Sequence, residues 1–302
     1  MALGLRYYIF LFGAGLLSSL FLSAGAWGAE KLRVSVSIVP QKYFVGKIGG
    51  DLVDVNVMVL PGANPATYEP KPKQMASLTG STIYFAIGAP FEKVWLERFA
   101  ALNPGMMIVH SEEGIEKIPM KADHHHEEAG HHEGAGRAHG IDDPHIWLSP
   151  LLVRIVARNI LDALLKAAPL HRSFFEANYR EFCAEIEGLD RELKKVFSGR
   201  GPEVNFMVFH PAWGYFARGY GLNQIPIEIE GKEPKPRALK NIIGQARDKG
   251  VKVIFVQPQF SAKSARTIAG AMGGQVIVAD PLAPDWAKNL RKVAEAFRSA
   301  LK

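Results

Sequence analysis

Residues 251–280 read VKVIFVQPQFSAKSARTIAGAMGGQVIVAD and contain a complete strand–helix–strand unit. The runs VKVIFVQ (251–257) and QVIVAD (275–280) are short, apolar and rich in β-branched residues, which predicts two buried strands. The segment between them, SAKSARTIAGAMGG (261–274), predicts a helix that ends in glycine. Two strands joined by a helix of this length predict a βαβ unit, and therefore a parallel sheet.

The same alternation extends outward on both sides of this unit. Upstream, VNFMVFH (204–210) and NQIPIEI (223–229) predict strands, and PRALKNIIGQARDKG (236–250) predicts a helix that ends in glycine. The first part of the chain adds four strand-like runs separated by helical segments: LRVSVSIVP (32–40), VDVNVMVLPG (53–62), TIYFAIG (82–88) and MMIVHS (106–111). The chain therefore contains two βα halves.

A long helical stretch separates the two halves. After Pro169, the run HRSFFEANYREFCAEIEGLDRELKKVFSG continues for about eight turns and closes at Gly199. We therefore predict an α/β protein with two lobes, 30–168 and 200–302, each containing a mostly parallel sheet flanked by helices. One long rigid helix, 169–199, joins the lobes and leaves a cleft between them.

The N-terminus is predicted to be a secretory signal peptide, residues 1–26. An apolar run at 7–22 follows Arg6, and Ala24-Gly25-Ala26 fits a cleavage site of small residues. The alternative is a membrane anchor, which would need about 20 apolar residues. No cysteine stands directly after the predicted signal peptide, and the one cysteine of the chain is Cys183. We therefore expect a soluble periplasmic protein rather than a lipoprotein, and we expect it to be a monomer.

The chain is basic overall, with a formal net charge of +6 and a sequence pI of about 9.3. A basic balance can indicate a nucleic-acid or membrane-surface partner. Because Lys and Arg occur along the whole chain, we interpret the charge as general solubility and expect no nucleic-acid partner.

Residues 121–143, KADHHHEEAGHHEGAGRAHGIDD, interrupt the βα pattern. The segment has no apolar periodicity, so we expect a mobile loop. Clustered imidazoles beside glutamates bind divalent metals weakly in many arrangements. Six of the chain's ten histidines are expected to form such weak sites: His124, His125, His126, His131, His132 and His139. The alternative is a solvated insertion without a role.

Three side chains outside this loop are candidate metal ligands. His210 ends the run VNFMVFH, Asp280 ends QVIVAD, and His145 lies in DDPHIW just before the helical stretch. Ligands of parallel sheets bind beyond the carboxyl ends of the strands, and two imidazoles with a carboxylate suit Zn²⁺. The metal cleft would then lie between the lobes. A single His or Asp after a strand is more often a cap or a buried hydrogen-bonding residue, so the prediction depends on the joint position of the three residues.

Several segments together resemble the metal-binding proteins of zinc and manganese ABC uptake systems. The segments that carry the resemblance are PGANPATYEPKP (61–72), the His-rich insertion, DPHIWLSP (143–150), FHPAWGYFARGYGL (209–222), GKEPKP (231–236) and VADPLA (278–283). The resemblance implies two lobes bridged by a long helix, high-affinity capture of one metal in the cleft, delivery to an inner-membrane ABC permease and no enzymatic activity. It also implies that His145, His210 and Asp280 are ligands. Histidine at the position of His210 implies the zinc type, since the manganese type usually carries Glu there.

One position departs from the family pattern, Pro-His-x-Tyr-Glu-Pro. This chain has Pro65-Ala66-Thr67-Tyr68-Glu69-Pro70, so Ala66 stands where the first ligand is expected. Water, Glu69, Asn64 or a loop histidine could fill the vacant position. Three protein ligands plus water is the arrangement of catalytic zinc sites.

Two other functions follow from this departure. An open position on zinc would suit a periplasmic hydrolase with Glu69 as the general base, although the chain lacks an H-E-x-x-H helix. The third hypothesis is a degenerate paralogue that has lost metal binding and serves as a metal buffer or an interaction protein.

Overall fold

The computed structural model describes residues 30–120, 142–199, 204–229 and 231–300. The expected signal peptide and the six histidines of the 121–143 segment lie outside these ranges. Residues 31–302 belong to one compact unit.

The first sheet has four parallel strands in the order β2-β1-β3-β4. Its strands are β1 (Leu32–Val36), β2 (Val53–Val57), β3 (Ile83–Ala86) and β4 (Met107–His110). The helices of this part are α1 (Val39–Gly49), α2 (Pro72–Leu78) and α3 (Glu92–Leu102). Val34 pairs with Val55 on one side and Ile83 on the other, which places β1 in the sheet interior.

The second sheet repeats this topology in the order β6-β5-β7-β8, again all parallel. Its strands are β5 (Val204–Val208), β6 (Leu222–Pro226), β7 (Val253–Val256) and β8 (Gln275–Val278). The helices of this part are α6 (Gly214–Tyr220), α7 (Pro236–Asp248), α8 (Lys263–Met272) and α9 (Trp286–Ala300). Residues 251–280 therefore form the predicted strand–helix–strand unit.

The predicted long helix is present as α5 (Arg172–Phe197), and a 3-10 turn at Pro169–His171 precedes it. Its 26 residues span about 39 Å. Helix α4 (Pro150–Ala167) packs beside it. At its start, Asn178 Nδ2 donates to Ile48 O at the end of α1 (3.1 Å). Near its end, the Phe197 ring lies 5.5 Å from that of Phe297 in α9, so α5 contacts both lobes.

The two faces of the second sheet face different cores. Phe206 and Phe255 point into a core that is continuous with the first lobe, α4, α5 and α9. Met207 and Ile254 point the other way, into a separate apolar cluster formed with α7 and α8. Helices α7 and α8 are therefore the outer layer of the second lobe. Among the described residues, no helix is both long and apolar enough to cross a bilayer.

Candidate metal centre

A polar side chain follows the carboxyl end of every strand of the second sheet. His210 and Glu228 lie two residues beyond β5 and β6, Gln257 directly follows β7, and Asp280 lies two residues beyond β8. Because the strands are parallel, these residues share one edge of the sheet. Strands β5, β6 and β8 end two to three residues earlier than the apolar runs suggest, so His210, Glu228 and Asp280 belong to the loops beyond the sheet.

His210 is held through both its ring and its backbone. Its Nδ1 lies 2.8 Å from Glu228 Oε1. Its backbone N donates to Gln257 Oε1 (3.2 Å), and Gln257 Nε2 donates to its carbonyl (2.6 Å). The ring stacks on Phe260 with a centroid distance of 5.3 Å. A carboxylate accepts only, so Nδ1 carries the proton and the Nε2 lone pair is left for a ligand.

His145 has the same kind of anchor from a different part of the chain. Its Nδ1 lies 2.7 Å from Asp143 Oδ1, which also accepts from the His145 backbone N (2.9 Å). Asp143 is 1% exposed, and Tyr215 Oη donates to its carbonyl oxygen (2.9 Å). Burial lowers the pKa of His145, against the opposing effect of Asp143. Burial therefore favours the neutral ring, which is the form that coordinates a metal ion.

The two histidines meet although 65 positions separate them in the chain. Their ring centroids lie 5.2 Å apart with an interplanar angle of 69°. Both Nδ1 atoms are engaged by carboxylates, so the remaining nitrogen of each ring is available to a cation. This pair, His145 and His210, is hereafter the histidine pair.

Asp280 lies at the same edge of the second sheet as His210 but does not form a ligand cluster with the histidine pair. Its Oδ1 accepts from Gln259 Nε2 (3.1 Å) and Leu282 N (2.9 Å). Trp147 Nε1, two residues beyond His145, donates to the carbonyl of the next residue, Pro281 (2.8 Å). Within the described ranges, no group of three or more His, Cys, Asp or Glu side chains is arranged to hold a metal ion.

The 61–72 segment offers no imidazole. Ala66 is exposed, and its backbone N donates to Asn64 Oδ1 (2.9 Å), so the Asn64 side chain is used within its own turn. Glu69 is exposed and belongs to no metal-holding group of the described residues. Tyr68 packs on Phe91 with a centroid distance of 5.7 Å, which holds the segment against the first lobe.

The family described as zinc-uptake complex component A, periplasmic, matches residues 34–300. This span includes both sheets, α5 and the histidine pair. The chain belongs to this zinc-uptake family. The resemblance inferred from the sequence motifs is thereby confirmed.

Relatives of the zinc-uptake family match most of the chain. The high-affinity zinc uptake system protein ZnuA of Bacillus subtilis (strain 168) is 29% identical over 257 residues, 84% of this chain and 79% of the relative. A crystal structure of ZnuA has a TM-score of 0.82 and 42% identity, covering 90% of this chain and 100% of its own. A zinc-bound deletion mutant of ZnuA has a TM-score of 0.79 and 42% identity, covering 90% and 98%. The predicted two-lobe α/β fold with its linking helix is thus confirmed.

Sequence reasoning missed the residues that orient the histidine pair in this zinc-uptake protein. Asp143 stands two positions before His145, and that local spacing was a usable signal. Glu228 is 18 positions from His210, and only the pairing of β5 with β6 brings them together. One oxygen of Glu228, Oε2, is buried without a hydrogen-bond partner among the described residues.

Proposed function

We propose that this zinc-uptake protein captures Zn²⁺ with high affinity in the periplasm and delivers it to an inner-membrane ABC permease. The observation that supports this most directly is the histidine pair. Two imidazoles from distant parts of the chain lie 5.2 Å apart, and a buried carboxylate fixes each one through Nδ1. Carboxylate-bound imidazoles are the usual ligands of zinc in proteins.

The proposed coordination uses His145, His210 and Asp280. Asp280 Oδ2 has no hydrogen bond among the described residues, so this oxygen is the one we assign to the metal. The fourth position, which the family gives to the residue at Ala66, is left to water, Glu69, Asn64 or a loop histidine. An incompletely closed site suits a cargo that must later be released.

Zn²⁺ is favoured over Mn²⁺ by the donor atoms. Imidazole suits zinc, whereas carboxylate, carbonyl and water suit manganese. The relatives with 42% identity include a zinc-bound form. The six histidines at 124–126, 131, 132 and 139 are proposed as additional weak sites that raise the local zinc concentration.

Capture without turnover agrees with the family, which is a transport family. We therefore propose no enzymatic activity, and the comparisons give no support to a hydrolase with Glu69 as its base. Residues 1–26 are proposed as a cleaved signal peptide, so that the working protein is a periplasmic monomer without a lipid anchor.

The proposal is tested by calorimetric titration of residues 30–302 with Zn²⁺ and Mn²⁺ at about pH 7.5 and about pH 5.5. We expect one tight zinc site, weaker manganese binding, and weaker zinc binding at the lower pH because protons compete for the imidazoles. A zinc affinity that does not change between the two pH values would contradict coordination by the histidine pair. Preferential manganese binding would overturn the assignment of the metal.

A further inference from the structure

The positive charge of the chain is concentrated in one segment, contrary to the even distribution inferred from the sequence. Residues 231–274 contain nine Lys and Arg against two acids, a net charge of +7, whereas the whole chain carries +6. The first lobe is nearly balanced, because residues 31–120 contain nine basic and eight acidic residues. General solubility does not explain so uneven a distribution.

All nine basic side chains of this segment are exposed. None of them forms an ion pair with another described residue. They are Lys232, Lys235, Arg237, Lys240, Arg247, Lys249, Lys252, Lys263 and Arg266. We call the solvent face formed by these residues the basic layer.

The fold places the basic layer on one side of the molecule. Helices α7 and α8 pack against each other and bury their apolar residues, such as Ile242 and Ile268, against the outer face of the second sheet. Their basic residues consequently point to solvent. The guanidinium of Arg247 on α7 donates to Ala271 O on α8 (2.8 Å from Nη2), which ties the two helices together.

Elsewhere in the molecule, several cations are neutralised by neighbouring acids. On α4 and α5, Arg154 pairs with Glu187 (3.0 Å), Arg158 with Asp162 (2.9 Å) and Arg172 with Glu176 (3.1 Å). Residues 231–274 contain only two acids, and one of them, Glu233, accepts a hydrogen bond from the neutral Ser264 hydroxyl. The surplus charge is therefore presented to solvent rather than used in internal pairs.

The basic layer adjoins the candidate metal centre. A helix that follows a parallel strand begins at the carboxyl end of that strand, so Lys235 and Lys263 lie at the same end of the lobe as the histidine pair. Lys263 is three positions after Phe260, whose ring stacks on His210.

We propose that the basic layer binds the anionic headgroup surface of a phospholipid bilayer. The charge is spread over two helices about 15 and 20 Å long, and long flexible side chains carry it. A diffuse patch of this kind complements a laterally uniform anionic surface, and each Lys or Arg close to such a surface strengthens binding about fivefold. This binding would hold the protein at the membrane that contains a permease. That consequence rests on the proposed function, whereas the lipid binding itself does not.

The test is sedimentation with vesicles of phosphatidylcholine alone or with about 30% phosphatidylglycerol, at low and high salt. The apolar run at 7–22 would itself bind lipid, so the experiment uses residues 30–302, which contain the whole compact unit of 31–302. The layer variant carries Lys235→Gln, Lys240→Gln, Lys263→Gln and Arg266→Gln. The control variant removes four exposed, unpaired charges of the first lobe through Lys42→Gln, Lys71→Gln, Lys73→Gln and Lys93→Gln.

We expect the unmodified protein to bind only the anionic vesicles and to be released by high salt. The layer variant should lose at least about tenfold in partition, and the control variant less than about twofold. Both variants should retain zinc binding, which distinguishes this proposal from the proposed function. Equal losses in the two variants would show an effect of net charge alone and overturn the proposal. Failure of the unmodified protein to bind anionic vesicles at low salt would also overturn it, and would point instead to an acidic protein partner.

Discussion

The carboxyl edges of the two sheets have the same strand order but hold different chemistry. At the edge of the second sheet, His210, Glu228 and Asp280 form a polar surface with an imidazole nitrogen left free. At the edge of the first sheet, two polar side chains bind backbone groups instead. Gln41 accepts from Ser37 N (3.0 Å), and Glu92 accepts from Ile87 N (3.0 Å).

The two sheets have similar topology, but the edge of the first sheet contributes to stability and the edge of the second is the one proposed to bind metal. Gln41 also donates to Phe85 O (3.1 Å), and Glu92 accepts from Gly88 N (2.8 Å), so the first edge satisfies buried backbone groups that would otherwise be costly to bury. The second edge is the one that we propose orients metal ligands. The family pattern implies a histidine at the position of Ala66, so we propose that the metal ligands come mainly from the second lobe and the 142–149 segment.

The largest effect on zinc binding is expected from removing one of the histidine pair. His145→Ala or His210→Ala should each weaken zinc binding by more than about 100-fold, because even the loss of an orienting partner costs about 10–100-fold. Calorimetry measures the change. The matched control is His110→Ala, since His110 also has its Nδ1 near a carboxylate (Glu112, 3.2 Å) but lies at the end of β4. Equal affinity in the His145 variant and the control would remove His145 from the site.

A smaller loss of zinc affinity is expected when both histidines are kept but the carboxylates bound to their Nδ1 atoms are removed. Asp143→Asn and Glu228→Gln should each weaken zinc binding by about 10–100-fold while the stoichiometry stays at one. The amide cannot act as a charged acceptor for the Nδ1 proton, so the ring is less basic and less well oriented. The thermal unfolding midpoint, followed by circular dichroism, separates this effect from misfolding. Unchanged affinity in both variants would mean that the carboxylates serve packing alone.

Much of the fold could be predicted from the sequence, because each βα unit carries its own apolar run and its own terminating glycine, as in residues 251–280. His145 and His210 could be predicted as candidate ligands because His210 ends an apolar strand run and His145 lies just before the helical stretch. Glu228 could not, since its contact with His210 depends on the pairing of β5 with β6. The basic layer was also missed. Its residues come together because helices α7 and α8 pack side by side, and this packing is not visible in the sequence.

Restoring the ligand that the family pattern contains should strengthen binding. Ala66→His places an imidazole at the exposed turn of the first lobe, and we expect zinc affinity to rise by about tenfold as a fourth protein ligand replaces water. Competition with a chromophoric chelator measures the gain. Ala66→Gln is the control for side-chain size. If the histidine variant binds no more tightly than the glutamine variant, the turn lies out of reach of the metal.

The smallest effect on zinc is expected at the first edge, where Glu92→Gln should leave the affinity unchanged. Burial raises the pKa of Glu92 from its ordinary 4.5 to about 7, against the lowering effect of its hydrogen bonds. Between pH 4.5 and about 7, the unfolded chain loses a proton at this carboxyl group that the folded chain keeps. The unfolding free energy therefore falls as the pH rises, by about 3 kcal/mol in total. In urea titrations between about pH 4.5 and about pH 7, the unfolding free energy of the Glu92→Gln variant should depend less on pH than that of the unmodified protein. Glu97→Gln, on the exposed side of the same helix, should retain the slope of the unmodified protein; parallel curves for all three proteins would refute the assignment.

The most direct test of the histidine pair as the zinc site is calorimetric zinc titration of residues 30–302 beside the same chain lacking residues 123–139. The account predicts one tight zinc site in both proteins, with additional weak binding only where the His-rich segment is present. Loss of the tight site on deletion, together with an unaffected titration of His145→Ala in the intact chain, would contradict the account and assign zinc capture to the His-rich segment.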